Sequence, residues 1–116
     1  MTEHDEQATL FSWTRYRPEL RWMFAIPNGG LRNKVTAARL RSEGTKAGVW
    51  DIFLPIPSKG YHGMFLEMKF NKNRLTESQK EFGEFVNGKG YYTAVAYSAD
   101  EAMREIDQYL DANDAD

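Results

Sequence analysis

A chain of 116 residues with 41% apolar content has the size of one domain and enough apolar side chains for one core. It contains no cysteine, which excludes disulfides, thiolate metal sites and a cysteine nucleophile, and His4 and His62 lack zinc-motif spacing. The net charge of −2 conceals an asymmetry: eight basic against two acidic residues between Arg15 and Lys46, and one basic against seven acidic between Asp100 and Asp116.

Thr2 is placed to cap a first helix over residues 3–16, with Leu10, Phe11 and Trp13 as its apolar stripe. Pro18 ends it. Residues 21–26 read as a strand, stopped by Pro27-Asn28-Gly29-Gly30, a turn signal. Residues 33–43 form a short basic helix by pattern. Val35, Ala38 and Leu40 point inward, Lys34, Arg39 and Arg41 outward, and Gly44 takes the C′ position. Two apolar runs follow, residues 49–54 and 64–70. The Pro- and Gly-rich connection between them is short enough to predict an antiparallel pair.

After a polar link at residues 71–74, Thr76-Glu77-Ser78-Gln79 is a capping box that opens a helix to about Asn87, with Phe82, Phe85 and Val86 as its inner stripe. Gly88 and Gly90 end it. Residues 91–97 are β-rich. Ser98-x-x-Glu101 then caps a last helix whose Met103, Ile106 and Leu110 face inward. The expectation is a single domain over residues 1–111 and an acidic, disordered tail over 112–116. The element order is α-β-α-β-β-α-β-α. A right-handed crossover makes the last two strands parallel, so the fold class is α/β, a mixed β-sheet of about four strands flanked by helices. No apolar run approaches membrane-spanning length, and the N-terminal residues lack a signal-peptide pattern, so a cytoplasmic location is expected.

The chemistry concentrates on the paired runs. Asp51 interrupts one of them, and Glu67-Met68-Lys69 lies in the other. Side chains alternate along a strand, so Glu67 and Lys69 share a face opposite Leu66, Met68 and Phe70. Two carboxylates and an ammonium converging between strands have the composition of a metal-assisted phosphodiester-cleaving site. The plainer reading is a cross-strand ion pair on a half-exposed sheet.

With these residues in that order, the chain resembles the PD-(D/E)xK nucleases. Within them it resembles the VRR-NUC family in its small stand-alone phage or bacterial form. The matching stretches are residues 3–7, 26–30, 44–51, 65–69 and 75–80, and they extend over nearly the whole chain. Trp50 stands where the family usually has a proline, which concerns strand geometry more than metal binding.

The resemblance implies a restriction-endonuclease-like core and a DNA endonuclease dependent on Mg²⁺ or Mn²⁺ that leaves 5′-phosphates. Asp51, Glu67 and Glu3 would be metal ligands, with Glu6 the alternative to Glu3 and Met68 offering its backbone carbonyl. Lys69 would align water or stabilise charge. Gln79 has two readings, one as the capping-box residue and one as a residue facing the active site. Lys34, Arg32, Arg39, Arg41 and Lys46 are candidates for DNA phosphate contacts. Asn28 and Gly29 either form a turn or let the backbone approach DNA.

Small relatives act as homodimers on branched DNA. The expected substrate is therefore a four-way (Holliday) junction in replication, recombination or repair, with a possible repair partner protein. The alternatives are a nonspecific or partner-dependent nicking nuclease and a non-catalytic DNA-binding module.

Overall fold

The computed structural model describes residues 2–27 and 34–111. The expectations placed on Asn28, Gly29, Arg32, the side chain of Lys34 and the acidic tail lie outside the described residues.

Helix α1 (Glu3–Thr14) starts at Thr2, whose hydroxyl accepts from the Asp5 N–H while the Asp5 carboxylate accepts from the Thr2 N–H. This reciprocal box satisfies two N-terminal donors of the helix. Pro18–Leu20 form one 3₁₀ turn, and strand β1 is only Phe24–Ala25. The strand expected over residues 21–26 is thus shortened to two residues. Pro18 presets the 3₁₀ turn, the chain stays turned through Arg21 and Trp22, and Pro27 follows with no N–H to extend an edge.

Helix α2 (Lys34–Ser42) precedes β2 (Ile52–Leu54) and β3 (Met64–Met68). Helix α3 (Glu77–Gly88), β4 (Tyr92–Ala96) and α4 (Ala99–Leu110) complete the chain. The sheet order is β1-β2-β3-β4, with the first two pairings antiparallel and the third parallel, as the crossover through α3 requires. The mixed sheet with its flanking helices is the α/β architecture expected from the element order.

Register divides the sheet into two faces. Ile52 pairs with Leu66 and Leu54 with Met64, while Leu66 and Met68 pair with Ala94 and Ala96. All seven side chains are buried, and they form the core with Leu10 of α1 and with Ala102, Ile106 and Tyr109 of α4. Full burial of a Leu or Ile side chain contributes about 1.5–3 kcal/mol, so this face supplies most of the apolar stabilisation. Ser98 caps α4 as expected, accepting from the Glu101 N–H.

The opposite face carries Phe53, Phe65 and Glu67, and α3 lies over part of it. Phe82 meets Phe65 edge-on at 5.1 Å between ring centroids, and Val86 is buried. Phe85 departs from the expected inner stripe. It is 64% exposed, with the Lys89 ammonium over its ring, because the inward arc of α3 is taken by Phe82, Gly83 and Val86. The expected orientation of α2 also fails. Val35 is 79% exposed, Ala38 is exposed, Leu40 is only half-buried, and none of the described side chains of α2 is buried. The helical period is present, but no packed partner lies against that stripe among the described residues.

Candidate active site

The two strands that alternate apolar and polar residues deliver Asp51 and Glu67 to the α3 face. Ile52 faces Leu66 across the antiparallel ladder, so Asp51 lies across from Glu67. The contact is direct. The Asp51 N–H donates to Glu67 Oε1 at 3.1 Å, and the Met68 N–H donates to Asp51 Oδ2 at 3.0 Å. Each carboxylate therefore closes the end of the ladder on the other strand.

Glu67 is 2% exposed, the one buried charged side chain among the described residues. Burial first, and then the Asp51 charge, push its pKa up to about 7. Burial also raises the pKa of Asp51. The Met68 N–H opposes that rise, the charge of Glu3 adds to it, and Lys69 lowers it. The Lys69 ammonium is 3.5 Å from Glu67 Oε2 and mostly shielded from solvent. One ammonium beside a buried and a partly buried carboxylate leaves a site with excess negative charge when both are ionised.

Gln79 joins this group from α3. Its Oε1 accepts from the Thr76 N–H at 2.9 Å, closing the capping box, and its Nε2 donates to Glu67 Oε2 at 2.8 Å. The capping box is present, and the same side chain also reaches Glu67. The cap fixes which end of the amide faces the site, since only Oε1 can accept from Thr76.

The helix-1 carboxylates separate. Glu6 Oε1 accepts from the Ala99 N–H at 2.8 Å, at the N-terminus of α4 on the far side of the chain. Glu3 lies near enough to Asp51 to raise its pKa, and it lines an open cleft of about 410 Å³ with His4, Gln7, Ala8 and Phe11.

Arg39, Arg41 and Lys46 are exposed, and the structure does not bring them into the carboxylate cluster. Arg39 pairs with Glu43 at 3.6 Å. Lys46 lines a second open cleft of about 350 Å³ with Ile26, Pro27, Thr45 and Val49, where the chain enters β2.

Trp50 and Gly83 were not among the expected site residues. Trp50 is 3% exposed, and its indole N–H donates to the Gln79 carbonyl at 2.9 Å. Its ring lies against Gly83, where a Cβ would stand 2.7 Å from Trp50 Cζ2. The available sequence signal was Gly83 itself. A glycine inside a helix costs about 1 kcal/mol relative to alanine and marks a place where something needs the space.

The donor set fits a hard divalent cation. Asp51, Glu67, Glu3 and the Met68 carbonyl are all oxygen donors, and Asp51 Oδ1 takes no hydrogen bond among the described residues. Both strand carboxylates hold protons more tightly than usual, chiefly because burial disfavours their charged forms, which a bound cation would offset. No set of three His, Asp or Glu side chains is drawn together closely enough for a metal among the described residues. The two strand carboxylates are the assembled part, and Glu3 stands at the margin.

A buried glutamate and a partly buried aspartate, with a lysine beside them and a glutamine from the crossover helix behind, thus meet where the two central strands of the mixed sheet pair. The VRR-NUC domain model matches residues 1–100, and the chain belongs to the VRR-NUC family. A solved structure of a VRR-NUC domain protein is similar over 100% of this chain and 93% of its own, with a TM-score of 0.83 and 29% sequence identity. No curated protein matches the chain.

Proposed function

We propose that this protein is a metal-dependent DNA endonuclease that hydrolyses phosphodiester bonds in branched DNA, with a four-way junction as its preferred substrate. The observation that carries the reading is the Asp51–Glu67–Lys69 cluster, in which a buried glutamate and a partly buried aspartate, both with raised pKa values, lie beside one ammonium. Asp51, Glu67, Glu3 and the Met68 carbonyl would hold Mg²⁺ or Mn²⁺. When bound, the ion supplies Lewis-acid polarisation of the scissile phosphate and a more acidic water.

The chain's own groups do the rest. Glu67 must be ionised, and Gln79 Nε2 and Lys69 both stabilise its charged form at Oε2. Lys69 carries the positive charge that lies beside the developing oxyanion. Exposed Arg39, Arg41 and Lys46 contact DNA phosphates, positioning the duplex without reading its sequence. The protein works in the cytoplasm, in replication or repair, as a homodimer whose two sites face symmetric strands of the junction. Tyr16 and Trp22 are 83% and 71% exposed, an arrangement compatible with such an interface. A monomer mass by light scattering at micromolar concentration would remove the dimer.

The test compares four-way-junction, splayed-arm and linear duplex DNA with Mg²⁺, Mn²⁺ or EDTA. Symmetric junction cuts that need metal are expected. Asp51→Ala should lower cleavage at least about 1,000-fold, ~4 kcal/mol of transition-state stabilisation, while DNA is still bound. Equal cutting of all substrates would remove the junction preference. Full activity of Asp51→Ala would overturn the site.

A further inference from the structure

We infer that Trp50 is a positioning residue that sets the Glu67 carboxylate through Gln79. This rests on the nuclease reading, because it concerns how that site holds its metal.

Three contacts fasten the first turns of α3 to the strand that carries Asp51. Gly48, at φ +94°, lets the chain pass so close to α3 that a Cβ there would lie 2.5 Å from the Ser78 carbonyl oxygen. Two residues on, the Trp50 indole donates to the Gln79 carbonyl. The same ring fills the notch at Gly83. Gln79 and Gly83 are four residues apart on one helix face, so a single flat side chain engages both.

The Gln79 side chain then has one orientation. Its oxygen is held by the Thr76 N–H and its amide nitrogen by Glu67 Oε2. Glu67 Oε1 is meanwhile held by the Asp51 N–H, one residue beyond Trp50. Both Glu67 oxygens are thus placed by groups whose backbone Trp50 ties together. The indole N–H fixes the backbone of Gln79 from behind, and its own peptide link leads directly into Asp51. The Trp50 side chain makes no hydrogen bond to either carboxylate. It acts only through Gln79 and through the depth at which α3 lies on the strands.

Partners that touch a metal ligand, as Gln79 touches Glu67, alter metal affinity by about 10- to 100-fold when removed, and Trp50, one step behind Gln79, belongs at the lower end of that range. The inference predicts coupling and not merely loss. The experiment is a double-mutant cycle of Trp50→Phe and Gln79→Ala in the full chain, reading Mn²⁺ affinity by calorimetry and melting temperature alongside. Trp50→Phe keeps an aromatic ring and removes the N–H. It should weaken Mn²⁺ binding about tenfold with Gln79 present, and much less in the Gln79→Ala background.

Gly83→Ala is the second route. It pushes the indole without changing any polar group near the site and should weaken Mn²⁺ binding in the same sense. Equal losses for Trp50→Phe in both backgrounds would make Trp50 a packing residue independent of Gln79 and overturn the inference. So would undiminished Mn²⁺ affinity in a folded Trp50→Phe or Gly83→Ala protein. Wild-type protein that takes up no Mn²⁺ would instead overturn the metal-dependent reading, and the relay with it.

Discussion

Helices α2 and α3 are of similar length and both follow a strand, yet they serve opposite ends. Helix α3 is held to the sheet by Trp50, by the Gly48 approach and by the Gln79 amide, and it contributes a side chain to the carboxylate cluster. Helix α2 has no fully buried side chain among the described residues and carries Arg39 and Arg41 into solvent. The groups that demand ångström precision lie on the paired strands and on a helix tied to them at several points. The candidate phosphate contacts, which need only charge at roughly the right distance, are left on an element with few constraints.

The sharpest way to break this comparison is at two glycines that look alike in sequence. Gly44 ends α2 at φ +106° with open space around it, while Gly48 enters the α3 contact at φ +94° against the Ser78 carbonyl. An alanine at Gly44 meets only the left-handed backbone penalty of about 1 kcal/mol. At Gly48 the same penalty is joined by a backbone collision that forces strand and helix apart, so a loss of about 3 kcal/mol or more is expected. Chemical denaturation of the two variants reads the difference directly. Equal losses would mean that α3 yields easily and is no rigid support.

The parts of the fold set by local chemistry were legible in the sequence. Alternation along residues 49–54 and 64–70 put Asp51 and Glu67 on one face, and Ser/Thr spacing marked the starts of α1, α3 and α4. Features that depend on a distant partner were not legible. Val35 and Ala38 have the spacing of an inner stripe, but whether a stripe is buried depends on what packs against it. Phe85 lost its inward place to Gly83 and Val86, since the indole of Trp50 needed the glycine. Glu6 and Glu3 were equivalent as first-turn acids until Ala99, 93 residues along the chain from Glu6, claimed one of them. Trp50 sits next to Asp51 in sequence, but the Gln79 carbonyl that gives it a purpose is 29 residues away.

A smaller effect tests the electrostatics of the rigid end. The folded-state pKa of Glu67, about 7, lies above the ordinary glutamate value of 4.5, so the folded protein binds this proton more tightly than the unfolded chain does. That contribution to stability is full below about pH 4.5 and is lost as pH rises through 7. A shift of this size corresponds to up to about 3 kcal/mol. In EDTA the wild-type melting temperature should therefore fall between pH 5 and 8 by more than that of Glu67→Gln, which has no charge to bury. Mn²⁺ at pH 8 should restore the loss, because a ligand that binds only the folded state stabilises it. Parallel pH profiles for the two proteins would show that Glu67 ionises there without cost.

The loose end of the molecule gives the smallest expected change in stability. Arg39 and Arg41 are exposed on α2, Lys46 is exposed beyond it, and the Arg39–Glu43 pair at 3.6 Å is a surface ion pair of the kind that contributes about 0–1 kcal/mol. Single alanine substitutions at these positions should leave unfolding free energy within about 0.5 kcal/mol of wild type. Their effect belongs to DNA binding. Each lost phosphate contact should reduce the slope of log affinity against log salt by about 0.9 on duplex DNA, uniformly across sequences, with cleavage of bound DNA little altered. An unchanged salt slope in Arg39→Ala, Arg41→Ala and Lys46→Ala would return these residues to solvent and require the DNA path to cross another face. A large drop in cleavage of fully bound DNA would be more damaging. It would mean that α2 reaches the carboxylates during the reaction, and that the division between a rigid chemical end and a loose binding end does not hold.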